Sequence, residues 1–358
     1  MEPYLQENYG NASTAYSIGE DARRELEKSR GVIAATLHAK TSEIYFTSGG
    51  SESDNWAVKN IAAACKKKGR HIITTNIEHH AILNSCEYLE KLGYDVTYLE
   101  VDGDGLISPE QVMDAIRPDT TLISVMFANN EVGTIEPIYQ IGKIAREKQI
   151  LFHTDAVQAY AQIPLSVNYY PVDLLSASAH KFHGPKGVGF LYIRDGIDIP
   201  SFIHGGSQER GKRAGTENVA GIVGMAKAAE IAYGNMRKRV QKEIMLRNYL
   251  IERVMHEIPD AKLNGHRSIR LPGNVNFSFK GLEGASLLIL LDEDGICASG
   301  GSACNTGEER ISYVIKALGV PEEYAPGTIR LTLCGDTTRA DVDAALVSLK
   351  RNIAVLRG

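Results

Sequence analysis

Lys181 stands directly after an apolar β-type run, between His180 and the glycine-rich turn His183-Gly184-Pro185-Lys186-Gly187. Most lysines are solvated surface charges, and Lys181 taken alone reads that way too. A lysine delivered from the end of a buried strand, close to a phosphate-binding turn, is also an amine suited to forming a Schiff base with an aldehyde cofactor. Asp155 follows a neighbouring strand-type run; its carboxylate either keeps a ring nitrogen protonated or caps the segment Ala156-Val157-Gln158. His79 is placed to stack on a ring and shuttle a proton near neutral pH, or to act as a core or capping histidine. Asn130 and Gln158 offer amides to a phenolic oxygen, although polar turn residues also serve merely to satisfy backbone groups. Ser48-Gly49-Gly50-Ser51-Glu52 opens a helix after another strand-type run. Backbone N–H groups and hydroxyls at such an end suit a single phosphate, while an isolated glycine pair is also an ordinary tight connection. The segment is neither a GxGxxG fingerprint nor a Walker loop. Amine, carboxylate, imidazole and phosphate cradle together form a donor set for pyridoxal 5'-phosphate.

Two further residues extend this chemistry. Cys304 lies in Ala298-Ser299-Gly300-Gly301-Ser302-Ala303-Cys304-Asn305-Thr306-Gly307, a stretch of small residues with no apolar anchor, as an accessible nucleophilic thiol requires. Cys65, Cys86 and Cys297 sit on helical or strand patterns and read as small buried hydrophobes. Arg330 places a charge inside the strand pattern Thr328 to Leu333, where a two-pronged pair with a carboxylate would justify burying it.

These residues need a scaffold that brings several strand ends to one rim. Short β-rich runs at 44–47, 71–76, 96–99, 121–127, 150–152, 174–176 and 189–193 alternate with helical patterns. That alternation predicts βα units and a mostly parallel sheet, with ligands bound beyond the carboxyl ends of the strands. Residues 220 to about 257 read as one long, largely continuous helix bridging two domains. Beyond it, strands at 274–279 and 328–333 mix with helices at 284–292, 312–318 and 339–355. The expected organisation is a large α/β domain over 1–235 and a smaller α+β C-terminal domain over 236–358.

Length and composition agree with an enzyme of this build. The chain has 358 residues, 43% hydrophobic and 23% charged, enough for two buried cores. A formal charge of -5 argues against a dominant nucleic-acid surface. No apolar run reaches the roughly 18 residues a membrane span needs, and no signal-peptide pattern opens the chain, so a cytoplasmic location is expected. The five cysteines are odd in number and scattered without CxxC or His/Cys spacing, so neither a disulfide framework nor a metal site is expected.

The ordered series Phe46-Thr47-Ser48-Gly49-Gly50-Ser51-Glu52, Glu78-His79, Ala128-Asn129-Asn130-Glu131-Val132-Gly133, His153-Thr154-Asp155-Ala156-Val157-Gln158, Ser178-Ala179-His180-Lys181-Phe182, Arg213-Ala214-Gly215-Thr216-Glu217-Asn218 and Ser302-Ala303-Cys304 resembles the class V aminotransferases. Within them it resembles the cysteine desulfurases that feed iron-sulfur cluster assembly and tRNA thiolation. The resemblance covers essentially the whole chain. It implies the fold-type I architecture of pyridoxal-phosphate-dependent transferases, with Lys181 holding the cofactor, Asp155 pairing with its ring nitrogen and His79 stacking on the ring. It assigns Asn130 and Gln158 to the phenolic oxygen, and the phosphate to Gly50, Ser51, Ser178 and His180, joined by Thr216 from the other subunit of a homodimer. Arg330, with Asn130, would bind the carboxylate of L-cysteine. Cys304 would take the sulfur as a persulfide, release alanine and pass sulfur to an iron-sulfur scaffold or carrier protein.

Some positions depart from the family pattern. A segment with an Asn-Ala-Ala-Thr-Thr run would precede Met1, Tyr16 stands for a usual His, Ser51 for Thr, Glu309-Arg310-Ile311 for Glu-Pro-Ser, and Cys334 for Gly. Selenocysteine lyase or another class V lyase is the alternative within enzymes, and a catalytically impaired, partner-binding homologue the alternative outside them.

Overall fold

The computed structural model describes residues 1–300 and 311–358. They form two compact units, one of Met1–Leu99, Ser108–Phe127 and Pro137–Met236, the other of Glu100–Ile107, Ala128–Glu136 and Arg237–Gly358.

The first unit is built on seven strands: β1 (Ile44–Thr47), β2 (His71–Thr75), β3 (Asp95–Leu99), β4 (Thr120–Ser124), β5 (Leu151–Asp155), β6 (Leu174–Ser178) and β7 (Gly189–Ile193). Their order is β1-β7-β6-β5-β4-β2-β3. β7 runs antiparallel to both neighbours and the others pair in parallel, so the carboxyl ends of β1, β2, β4, β5 and β6 share one edge. β2, β4, β6 and β7 are buried at every residue, as expected of strands covered on both faces. The helix Gly50–Cys65 covers one face, packing on β4, β5, β6 and β7. Trp56 on this helix is fully buried, donates from Nε1 to the Pro200 carbonyl at 3.0 Å and meets the Tyr45 ring edge-on.

The second unit carries the antiparallel sheet β10-β9-β8, with β8 at Ala261–Leu263, β9 at Asn274–Phe279 and β10 at Thr328–Thr332. Val254, Phe277, Phe279, Leu287, Leu291 and Leu349 lie at its core.

Three sequence expectations differ from the fold. The long helix is broken at Asn235 into Val219–Gly234 and Met236–Glu257, because glycine and asparagine in succession favour a helix stop. β5 runs on to Asp155 past the last apolar residue, His153 finding partners in Ser124 of β4 and Ser176 of β6 and Asp155 in the Val157 amide. Cys297 is exposed, not a buried hydrophobe. Glu100–Ile107 and Ala128–Glu136 group with Arg237–Gly358 in the second unit: the Ile135 amide donates to the Ile269 carbonyl at 3.1 Å, and Thr134 Oγ1 donates to the Asp104 carbonyl at 2.6 Å.

Candidate active site

At the end of β1, Gly49 adopts φ +153° and leaves the helix Gly50–Cys65 without a side-chain cap. The first-turn amides are therefore open to an anion, which the helix dipole favours. A Cβ on Gly50 would sit 2.6 Å from Val157 Cγ2 and 3.7 Å from Ser178 Cβ. The turn thus lies against both the segment after β5 and the last residue of β6. Ser51 is exposed beside it.

Asp155 is the last residue of β5 and almost fully buried, with Oδ1 accepting from the Val157 amide at 2.8 Å. Burial pushes its carboxyl up to about 6, while the Val157 hydrogen bond and the Lys181 charge pull the other way. After β6 the chain makes one tight turn, Ala179–Phe182, which presents His180 and Lys181 to solvent. The Lys181 carbonyl accepts from Gln162 Nε2 at 3.1 Å.

His79 caps the helix His80–Glu90, its Nδ1 accepting from the Ala81 amide at 3.1 Å. A neutral ring in that position carries its proton on Nε2. Burial first, then the charges of His80 and Lys181, hold His79 below the usual histidine range. His180 is lowered likewise, by burial and then by the Lys181 and Lys186 charges. Lys181 is thus close enough for its charge to act on His79, Asp155 and His180 together. Gln158 is half-buried on the same segment as Val157.

Thr216 is exposed on the wall of a cavity of about 130 Å³ that Thr47, Ser48, Gly187 and Arg213 also line. Arg213 is fixed there by two bonds from its guanidinium to Glu52, Nε to Oε1 at 2.8 Å and Nη2 to Oε2 at 3.1 Å.

In the second unit, Arg330 is half-buried on β10 and donates from Nη1 to the Asn130 carbonyl at 2.7 Å. Asn130 keeps a buried side-chain Oδ1 without a hydrogen-bond partner among the described residues, an acceptor available to a ligand. Sequence reasoning gave no role to Glu131, whose Oε2 accepts from Ser312 Oγ at 2.6 Å. Burial pushes Glu131 up to about 7 against the Ser312 bond and the Arg330 charge. Ser299 and Arg330 exchange backbone bonds in both directions. Cys304 lies outside the described residues.

The chain belongs to the aminotransferase class-V family, whose description matches residues 1–345. Its similarity is to the cysteine desulfurase IscS of Dictyoglomus turgidum, 52% identical over 357 residues, covering 100% of this chain and 91% of that protein. Among solved structures, a NifS-like protein superposes with a TM-score of 0.93 at 40% identity, covering 99% of this chain and 94% of that one. SspA in complex with cysteine superposes with a TM-score of 0.82 at 37% identity, covering 94% of each chain.

The cofactor of this family is pyridoxal 5'-phosphate, and the residues present fit it. The glycine turn leaves a cradle with open amides for a phosphate, Asp155 supplies a buried carboxylate for a protonated ring nitrogen, and Lys181 offers an accessible amine nearby.

Proposed function

We propose that this chain is a cysteine desulfurase that converts L-cysteine to L-alanine and takes the sulfur onto Cys304 as a persulfide. One observation carries the reading: in a chain of the class-V family, Lys181, Asp155 and His79 converge at one sheet edge beside an uncapped glycine turn.

When bound, pyridoxal 5'-phosphate supplies an aldehyde and an electron-withdrawing ring. Lys181 would hold it through the amine, Asp155 as a carboxylate would pair with the ring nitrogen, and Asn130 and Gln158 would hydrogen-bond the phenolic oxygen. Gly50, Ser51, Ser178 and His180 hold the phosphate together with Thr216 of the partner subunit, so a homodimer is the working unit. His79 would stack on the ring and hold or give a proton at Nε2. Arg330 grips the α-carboxylate of L-cysteine with both guanidinium arms, and its bond to the Asn130 carbonyl fixes its direction.

Cys304 as thiolate attacks the sulfur of the bound substrate. An S–S bond forms, the substrate Cβ–S bond breaks, Cβ takes up a proton and alanine leaves. The persulfide then passes its outer sulfur to an iron-sulfur scaffold or sulfur-carrier protein in the cytoplasm. Among the described residues no helix is long and apolar enough to cross a membrane.

The test is a visible absorption spectrum of the purified protein before and after L-cysteine, with alanine and sulfide assayed in the same sample. A cofactor band that changes on mixing while alanine appears is the expected result. No band sinks the Lys181 assignment, and a band without alanine sinks the desulfurase reading. Cys304→Ala is expected to lose persulfide and sulfide production while keeping the band; full turnover in that variant would refute the role of Cys304.

A further inference from the structure

The helix that opens at the glycine turn carries a negative charge of its own at the end where a phosphate would bind. Gly50, Ser51 and Glu52 are its first three residues, and its hydrogen-bond ladder begins with the Ser53 amide, which donates to the Gly49 carbonyl at 3.1 Å. The amides of Gly50, Ser51 and Glu52 are therefore the open donors of the first turn. A glutamate at the third helical position ordinarily reaches back toward the cap, and its charge is one that a helix N-terminus attracts. An unrestrained Glu52 carboxylate would compete with a phosphate for these same amides.

The carboxylate is held to one side. Its Oε2 accepts from the Ser48 amide at 2.8 Å, one residue before the cap Gly49. Arg213 grips both oxygens, Nε to Oε1 at 2.8 Å and Nη2 to Oε2 at 3.1 Å. The two side chains are only 9% and 20% exposed, so loss of either would leave the other's charge poorly screened. The backbone that delivers Arg213 is itself fixed. The Ala214 amide donates to the Ile203 carbonyl at 3.1 Å and the Phe202 amide to the Lys212 carbonyl at 3.2 Å, which straps Arg213 to residues 202–203. Just before them, the Pro200 carbonyl accepts from Trp56 Nε1 and Asn60 Nδ2 of the same helix, each at 3.0 Å. Arg213 thus reaches the start of the helix from a segment anchored one and a half turns or more along it.

We propose that Arg213 is a positioning residue for cofactor binding: its two-armed pair neutralises Glu52 and keeps that carboxylate off the first-turn amides, leaving them to the cofactor's phosphate. The proposal rests on the cofactor reading above. Its effect is confined to the phosphate, because Glu52 and Arg213 meet at the turn and touch neither Lys181 nor Asp155.

The test is a suppression experiment on full-length, cofactor-stripped protein, titrated by visible absorption with pyridoxal 5'-phosphate and, separately, with pyridoxal. Arg213→Ala frees the Glu52 charge, so affinity for the phosphorylated ligand should fall at least about tenfold while that for pyridoxal stays within roughly threefold. Adding Glu52→Ala removes the freed charge, so the double variant should bind pyridoxal 5'-phosphate at least about fivefold more tightly than Arg213→Ala alone. A brace that merely supported the fold would give the opposite order, with the double variant no better than the single. If Arg213→Ala does not fold, Arg213→Gln, which keeps most of the side chain's length without its charge, takes its place in both comparisons. Wild-type affinity in the arginine variant, an equal loss for both ligands, or a double variant that binds no better than the single overturns the proposal. Failure of the wild type to bind the cofactor at all would instead remove the reading on which it rests.

Discussion

Gly50→Ala adds one methyl group at the wall of the proposed phosphate cradle, and its cost follows from the geometry. Gly50 is the first residue of its helix and has no positive φ, so the backbone accepts alanine without strain. The new Cβ would lie 2.6 Å from Val157 Cγ2, closer than packed carbons approach, while its next contacts, Ser178 Cβ at 3.7 Å and Val157 Cβ at 3.8 Å, are ordinary. The clash is therefore with one methyl group. Relieving it must move either the helix N-terminus or the segment that follows Asp155, and overpacking of this kind costs about 1–3 kcal/mol. Both movements disturb the cofactor site, so affinity for pyridoxal 5'-phosphate should fall roughly 5- to 150-fold. Val157→Ala removes the opposing methyl, so the double variant should recover most of the lost affinity. The assay is titration of cofactor-stripped protein by visible absorption, with pyridoxal lacking the phosphate as the comparison ligand. If Gly50→Ala binds like the wild type, or Val157→Ala fails to restore binding, the cradle is not where the turn has been placed.

Three further outcomes follow from the same physical reasoning. Arg330→Lys keeps the charge but loses the proposed two-armed grip on the substrate carboxylate, so kcat/KM for L-cysteine should fall by about 2 kcal/mol, roughly thirtyfold, mainly through KM; steady-state kinetics check this. Arg30 and Glu209 form a buried two-armed ion pair, with contacts of 2.7 and 2.9 Å, and Glu209 also accepts the Phe46 amide at 2.8 Å. Glu209→Gln leaves the buried Arg30 with Glu27, 3.1 Å from its Nε, as its carboxylate partner and should destabilise the first unit by about 3 kcal/mol, read from the urea midpoint. Burial pushes the Glu136 carboxyl up to about 8 from an ordinary value of 4.5, so between those values the folded chain holds a proton the unfolded chain lacks. This group's contribution is complete below 4.5 and is lost as pH rises toward 8, at ~1.4 kcal/mol per pH unit. Glu136→Gln should flatten that decline and be more stable than the wild type at pH 8, yet nearly neutral at pH 4.5; melting curves across the range decide it.

The rim of chemistry was legible because its residues follow directly on apolar strand runs. His79, Asp155 and Lys181 each stand where a β-type pattern ends, and parallel topology gathers such ends on one edge. What escaped the sequence was polar burial. Asp54 lies in Glu52-Ser53-Asp54-Asn55, a stretch that reads as a solvated helix start, yet packing of the helix on the sheet closes it from water. His153, Thr154 and Asp155 are buried strand residues whose polarity ended the strand pattern too soon. Glu209 sits in the charged run Gln208-Glu209-Arg210-Gly211-Lys212-Arg213 and gains its meaning only from Arg30, 179 positions away. Glu131 and Ser312 are 181 positions apart and met only in the fold. β8, three half-buried residues long, carries too few alternations to register as a strand.

The chain has a single tryptophan, and it is Trp56, sealed in the first unit on the helix that begins at the glycine turn. Ultraviolet emission at tryptophan wavelengths therefore comes wholly from that unit, and the second unit is dark. Denaturation followed by this emission will track the first unit's melting, whereas circular dichroism averages over both, so a gap between the two curves would count the cooperative units in one titration. The same fluorophore shares its helix with the proposed phosphate cradle, which makes it a built-in optical gauge of cofactor loading that needs no added label.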